Sequence, residues 1–244
     1  MRFNGKDLMH VHRAISIAKE IPPGMPARDI TTVATSRGED VANVATIQDV
    51  YTVRVNIACR SVEEAWRVRG LLAAWATSSG NVAAELEPTR TPGKAYSAIA
   101  RSISRPEFKF GFATVDVEFM LPRPVMHDMT QKTASKTGAE SMSFMIGGTA
   151  SVQPSFSFAP DANVNGMSLT MDGKTFFRYK GRLNAGSTLE VVLETGAVLV
   201  DGEHAEPNIV YTDTDFDIEL KPGSHTLGAT AAGTLRARWR DEWQ

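Results

Sequence analysis

The chain has one cysteine, Cys59, in 244 residues, so no intrachain disulfide can form and packing alone must hold the fold, as suits a reducing compartment. It has no apolar run near the roughly 20 residues of a spanning helix. Its opening, Met1-Arg2-Phe3-Asn4-Gly5-Lys6-Asp7, is too polar for a secretory signal. The expectation is a soluble protein with no membrane insertion. An excess of charge of one sign is also missing: 26 Lys and Arg against 28 Asp and Glu give a formal net charge of -2. That excludes the broad basic footprint of nonspecific nucleic-acid binding and leaves only local patches such as Arg236, Arg238 and Arg240. No Gly-x-Ser-x-Gly elbow, phosphate loop, Gly-x-Gly-x-x-Gly or zinc-ligand spacing occurs. No catalytic, cofactor-binding or metal residue is therefore assigned, and a non-enzyme with no cofactor is expected.

With 42% hydrophobic and 22% charged residues, the chain is ordinary globular material, long enough for two modest cores. The strongest strand signal in the first half is residues 50–60, where Tyr51, Val53, Val55, Ile57 and Cys59 share one face. Ser61-Val62-Glu63-Glu64 has the form of a capping box, and Val62, Ala65, Trp66, Val68, Leu72 and Trp75 make an apolar stripe ending before Gly80. This predicts one long helix over 61–77. Strand-like blocks follow at 82–87, 94–104 and 108–121. Phe108, Phe110 and Phe112 have the opposite parity to Val115, Val117 and Phe119, which predicts a bulge near Gly111. Earlier, 30–35 and 41–47 flank Ser36-Arg37-Gly38-Glu39-Asp40, the pattern of a hairpin tip that could either project and pair with a neighbouring subunit or stand as an exposed, solvated hairpin.

Residues 127–148, rich in Thr, Ser, Lys, Met and Gly, lack periodicity and read as an interdomain connection. The remaining 149–244 alternate apolar and polar positions at Val152, Phe156 and Phe158, at Met167, Leu169 and Met171, and at Leu189, Val191 and Leu193. Asp172-Gly173 and Asp201-Gly202 supply turns between them. Phe216 to Leu220, before Lys221-Pro222-Gly223, is the clearest strand pattern of this part. The fold class is mainly β: two sandwich-like domains at 1–126 and 149–244, the first with a single helix.

Candidate chemistry is sparse. His10 and His12 would share a face of an extended strand and could ligate a metal, but no third ligand accompanies them. Asp213, Asp215, Asp217 and Glu219 alternate as in a calcium loop, yet lack its glycine and terminal Glu, and match the wet face of a strand. Glu190, Glu194, Asp215 and Asp217 are acids available to a glycan-degrading enzyme, a reading that rests on their presence alone. Trp239 and Trp243 suit either sugar stacking or packing, and packing is the commoner role; Trp66 and Trp75 read as core or interface. Cys59 reads as a buried, inert thiol.

The order of elements carries more than any motif. Phe3-Asn4-Gly5-Lys6-Asp7-Leu8, the Arg37-Gly38-Glu39 tip, the 51–59 strand, the Ser61 helix, Pro92-Gly93-Lys94-Ala95-Tyr96, the 112–119 strand and Leu121-Pro122-Arg123-Pro124 together resemble the N-terminal domain of siphophage distal tail proteins, the Dit family. Gly181-Arg182-Leu183-Asn184-Ala185-Gly186, Val200-Asp201-Gly202 and Leu220-Lys221-Pro222-Gly223 resemble that family's C-terminal galectin-like domain. The resemblance implies a homo-hexameric ring at a virion tail tip, synthesised in the host cytoplasm. Its partners would be the tail tube protein, a tail-associated tip protein and receptor-binding proteins. It also implies a hairpin, at 30–47 here, that clasps the adjacent subunit. No His-Asn-Pro-Arg or Trp-x-x-Arg series occurs in 149–244, so sugar binding is not implied. A glycan-binding host-adhesion module is the alternative reading.

Overall fold

The computed structural model describes residues 1–23, 28–35, 38–46 and 49–244. It is mainly β, with one α-helix among the described residues, and divides into two compact units, Met1–Met126 with Gln244 and His127–Trp243. Each is built around its own apolar cluster.

The first unit runs β1 (Arg2–Phe3), β2 (Lys6–Asp7), β3 (Ile15–Ile21), β4 (Arg28–Thr35), β5 (Gly38–Thr46), β6 (Asp49–Ala58), α1 (Val62–Ala76), β7 (Ala84–Glu87), β8 (Lys94–Ile103), β9 (Glu107–Lys109) and β10 (Phe112–Leu121). Its antiparallel order is β2-β1-β7-β8-β10-β6-β3. β4 and β5 pair with each other, and Ser36, Arg37 and Ile47, part of that hairpin as read from sequence, lie outside the described residues. The alternation of β6 holds: Tyr51, Val53, Val55 and Ile57 are buried, and Val53, Val55 and Ile57 lie opposite Val117, Val115 and Ala113 of β10. On the wet face of the same pair, Arg54 donates twice to the Asp116 carboxylate, both at 2.8 Å, and holds it below the usual carboxylate range.

The helix forms where the sequence places it. Ser61 Oγ accepts the Glu64 N–H at 3.2 Å, but the Glu64 carboxylate takes the Arg60 N–H at 2.9 Å, one residue earlier than a capping box has it. Thr77 closes the other end by donating its hydroxyl to Ala73 O at 2.8 Å. Ala65, Val68, Leu72 and Trp75 face the core, where Trp75 meets Phe3 and Phe119 edge-on. Trp66 does not join that stripe. It is 45% exposed, about 100° around the helix from Ala65, with the Arg69 guanidinium 5.4 Å from its ring. The bulge expected near Gly111 is instead a chain reversal. Phe112 pairs with Lys109 across a turn made by Phe110 and Gly111, and the φ of +86° at Gly111 suits a residue without a Cβ.

β11 (Met126–Asp128) begins on the last residue of the first unit, and the second unit goes on with β12 (Lys132–Ile146), β13 (Ser155–Pro160), β14 (Val164–Met171), β15 (Lys174–Leu183), β16 (Leu189–Val192), β17 (Ala197–Val200), β18 (Glu203–His204), β19 (Gly223–Trp239) and β20 (Glu242–Trp243). Asp172-Gly173 and Asp201-Gly202 make the expected turns, all four residues at positive φ. Two readings are corrected here. The supposed connection holds β12, which pairs with β19 from Lys132↔Trp239 to Ile146↔Gly223. Its irregular register around Ala139 breaks the period that would have revealed it. Residues 216–220 alternate in burial but form no ladder beyond a bridge from Leu220 to Val152. The Asp217 N–H turns back to the Asp215 carboxylate at 3.0 Å, a local bond that competes with strand pairing.

Candidate assembly surface

At one end of the first unit, the start of β3, the end of β6, the start of α1 and the β9–β10 hairpin converge. Phe108 pairs with Ala113, a buried residue of β10, so both point to the helix side of the sheet. That leaves Phe108 beyond the closed core, 40% exposed; Phe112 is 38% exposed, and Phe110 at the turn is fully exposed. Between this hairpin and the helix start lies a groove of about 830 Å³. Ala14, Ala58 and Cys59 contribute apolar lining, Phe108 and Phe110 aromatic lining, and Arg13, Arg60 and Arg67 with His12 and Glu64 the polar lining. Burial, then the charge of Glu64, pushes the Cys59 thiol up and away from the reactive thiolate. The three guanidinium groups make no ion pair with another described residue. Exposed aromatics beside a cluster of cations are the kind of patch that marks interaction surfaces in general.

The residues singled out in the sequence fall elsewhere or into packing roles. His10 ends a short 3-10 helix, whereas His12 lies in a turn and accepts the Ala14 N–H at Nδ1, 3.2 Å, so the extended geometry that paired them is absent. Among the described residues no cluster of His, Cys, Asp or Glu is suited to hold a metal ion. Asp213 is taken by Arg178 at 2.7 Å, which lowers its pKa. Glu190 meets Arg238 at 3.3 Å, and Glu194 is exposed beyond β16. Trp239 is buried against Phe144 and donates to Asp241 at 2.9 Å; Trp243 donates to Asp128 at 3.1 Å. Trp75 donates to Lys6 O at 2.9 Å. The groove itself was missed because four separated segments build it. Its one sequence signal is the Phe-x-Phe-Gly-Phe run, whose parity predicts a bulge and not a turn.

The second unit also carries a polar cleft of about 430 Å³ around Arg178 and Asp213, lined by Ser168 and the hydroxyls of Thr175, Thr212 and Thr214.

Residues 147–243 match the family model described as the siphovirus-type tail component, C-terminal domain. Over the whole chain the fold is that of the Dit protein (gp 19.1) of phage SPP1, described as a paradigm of hub adsorption apparatus in Gram-positive infecting phages. The TM-score is 0.81 at 14% identity, covering 100% of this chain and 98% of that one. The two findings support the siphophage distal tail protein family. Chains of the phage p2 baseplate in its activated conformation, with calcium and with strontium, show TM-scores of 0.47 and 0.44 at 9% and 10% identity. They cover 93% of this chain in each case and 90% and 91% of theirs. No curated protein matches the sequence.

Proposed function

We propose that this chain is a distal tail protein of a siphophage. In this reading it is a non-enzymatic structural subunit whose first unit forms a hexameric ring joining the tail tube above to the tip and adsorption proteins below. The observation that carries the reading is the agreement in fold along the full chain with a phage hub protein, joined to the tail-component family model on 147–243. The exposed Phe108–Phe110 groove supports it, because a ring subunit needs an uncovered face before assembly. Native mass spectrometry and negative-stain electron microscopy of the full chain test it: six copies around a central channel are expected. A species that stays monomeric at high micromolar concentration sinks the proposal.

The Arg178 cleft favours one second reading, a glycan-binding adhesion module, since hydroxyls and an Arg–carboxylate pair are the groups that hold sugar hydroxyls. Binding of host envelope polysaccharide on a glycan array, lost on Arg178→Ala, is its expected result. An array without signal removes it.

A further inference from the structure

We infer that the Arg178 cleft of the second unit is one end of a longer trough that binds an acidic glycan, a polyhydroxylated chain bearing phosphate or carboxylate groups, with Lys180 receiving the anionic group. This rests on the glycan reading of that cleft above and goes on to name the class of ligand.

The trough has a floor and a wall. A second cavity, of about 560 Å³, adjoins the cleft of about 430 Å³: Ser168 and Arg178 line both, and Asn165, Lys180 and Thr230 continue the lining along β14 and β15. Each lies in the size range of ligand sites. The register of β14 on β15 shifts between Asn165 and Met167. Gly166 occupies that break at a φ of +79°, where a Cβ would lie 3.1 Å from Tyr179 O. Residues 210–215 run beside β15 and supply the wall. Val210 N–H donates to Arg178 O at 2.9 Å, Asp215 N–H to Phe176 O at 2.7 Å, and Arg178 N–H to Thr214 Oγ1 at 3.2 Å.

With those amides spent on the wall, the trough offers a ligand its side chains. Ser168 Oγ, Thr175 Oγ1, the Asn165 amide and the Lys180 ammonium hydrogen-bond to no other described residue. Asp213 holds Arg178 at 2.7 Å through one guanidinium nitrogen and leaves the other N–H groups to a ligand. Hydroxyl and amide groups both donate and accept, which matches the hydroxyls of a sugar chain. The charge is graded along the floor. Asp213 and Asp215 stand at the cleft end, Arg178 lies between, and Lys180 stands at the other end, two residues further along β15 and so about 7 Å on. No carboxylate lines the Lys180 end. A lone ammonium among neutral hydrogen-bonding groups selects a chain with an anionic substituent there, and the two acids at the far end reject a uniform polyanion.

The test is isothermal titration calorimetry of the full chain with four probes. Dextran is the neutral glycan, phosphomannan and polygalacturonate carry phosphate and carboxylate, and oligothymidylate is a uniform polyanion. At least one acidic glycan should bind on the order of tenfold more tightly than dextran, and the one that does identifies the substituent. Lys180→Glu should bring that glycan down to the dextran level, Lys180→Arg should keep it, and Arg178→Ala should weaken every glycan. Circular dichroism melts matching the parent confirm that the variants fold, as expected for the exposed Arg178 and Lys180. If dextran binds as tightly as the acidic glycans, or Lys180→Glu changes nothing, the acidic-ligand inference is overturned and the glycan reading survives. Oligothymidylate binding as tightly as the acidic glycans overturns it in favour of unspecific polyanion binding. If no glycan binds, both fall.

Discussion

Asp241 is the buried charged side chain of the described residues, 2% exposed, and three donors converge on it: the Lys132 ammonium, the Gly147 N–H at 3.0 Å and Trp239 Nε1 at 2.9 Å. Burial alone would raise its pKa. The donors outweigh that and hold the carboxyl below the ordinary value. A depressed folded pKa stabilises the fold above the unfolded value, near pH 4, and that stability is lost as pH falls through the folded one. Asp241→Ala strands the Gly147 N–H and Trp239 Nε1, while the half-exposed Lys132 can turn to water, and is expected to cost about 2–4 kcal/mol by chemical denaturation at neutral pH. The difference from the parent should shrink below roughly pH 4; a constant gap down to acid pH contradicts the account. His225 carries the opposite sign. Its Nδ1 faces the Asp172 carboxylate and its Nε2 faces Lys221 O, each at 2.7 Å, an arrangement that needs a proton on both nitrogens. Burial pushes its pKa down, and the two acceptors more than reverse this, so it lies above the usual value. The stability it contributes is present below about pH 6.5 and lost as pH rises through the raised folded value. An NMR titration of the imidazole should give a midpoint above 6.5, falling on Asp172→Asn; a midpoint below 6.5 in the parent rejects the doubly bonded imidazolium.

Among elements, those whose signal lies in consecutive residues were legible. The helix was read nearly to the residue because Ser61 and Glu64 cap one end and Ala65, Val68, Leu72 and Trp75 repeat at helical spacing. Ser61→Ala should therefore cost about 1 kcal/mol in global stability without changing the strand content, as checked by urea denaturation and circular dichroism. What failed was what depends on partners distant in sequence. β12 buries Met142, Phe144 and Ile146 only in its second half, and its polar first half is a strand because β19 lies beside it. Residues 216–220 show the converse: a period of two in burial is necessary for a half-buried strand but does not supply a ladder partner. For Phe108 to Phe112, parity was seen but the turn was not, since Gly111 at positive φ serves a reversal as readily as a bulge. The groove was illegible for the same reason, as Arg13, Arg60, Arg67 and Phe108 meet only after folding.

At the scale of the molecule, the two apolar clusters do not mix: one runs from Met1 to Leu121 and the other from Met142 to Trp239. We propose on that basis that the domain boundary lies at 126/127 and not at 149, the start read from the sequence. The choice has a measurable consequence. A fragment beginning at 149 lacks β12, which flanks the 17-residue β19. It also loses Lys132 from Asp241 and three core side chains, Met142, Phe144 and Ile146. At about 1.5–3 kcal/mol for each buried side chain, the packing loss alone approaches the whole stability of a typical domain. Fragment 127–244 should melt cooperatively and give a dispersed NMR spectrum, whereas 149–244 should do neither; a native-like spectrum from 149–244 places the boundary back at 149. The ring reading proposed above adds a second prediction for the same cut. The exposed groove belongs to the first unit, so on that reading fragment 1–126 should form rings in native mass spectrometry while 127–244 stays monomeric. Rings that need the second unit would assign part of the contact to it and remove the first unit as the sole ring-forming element.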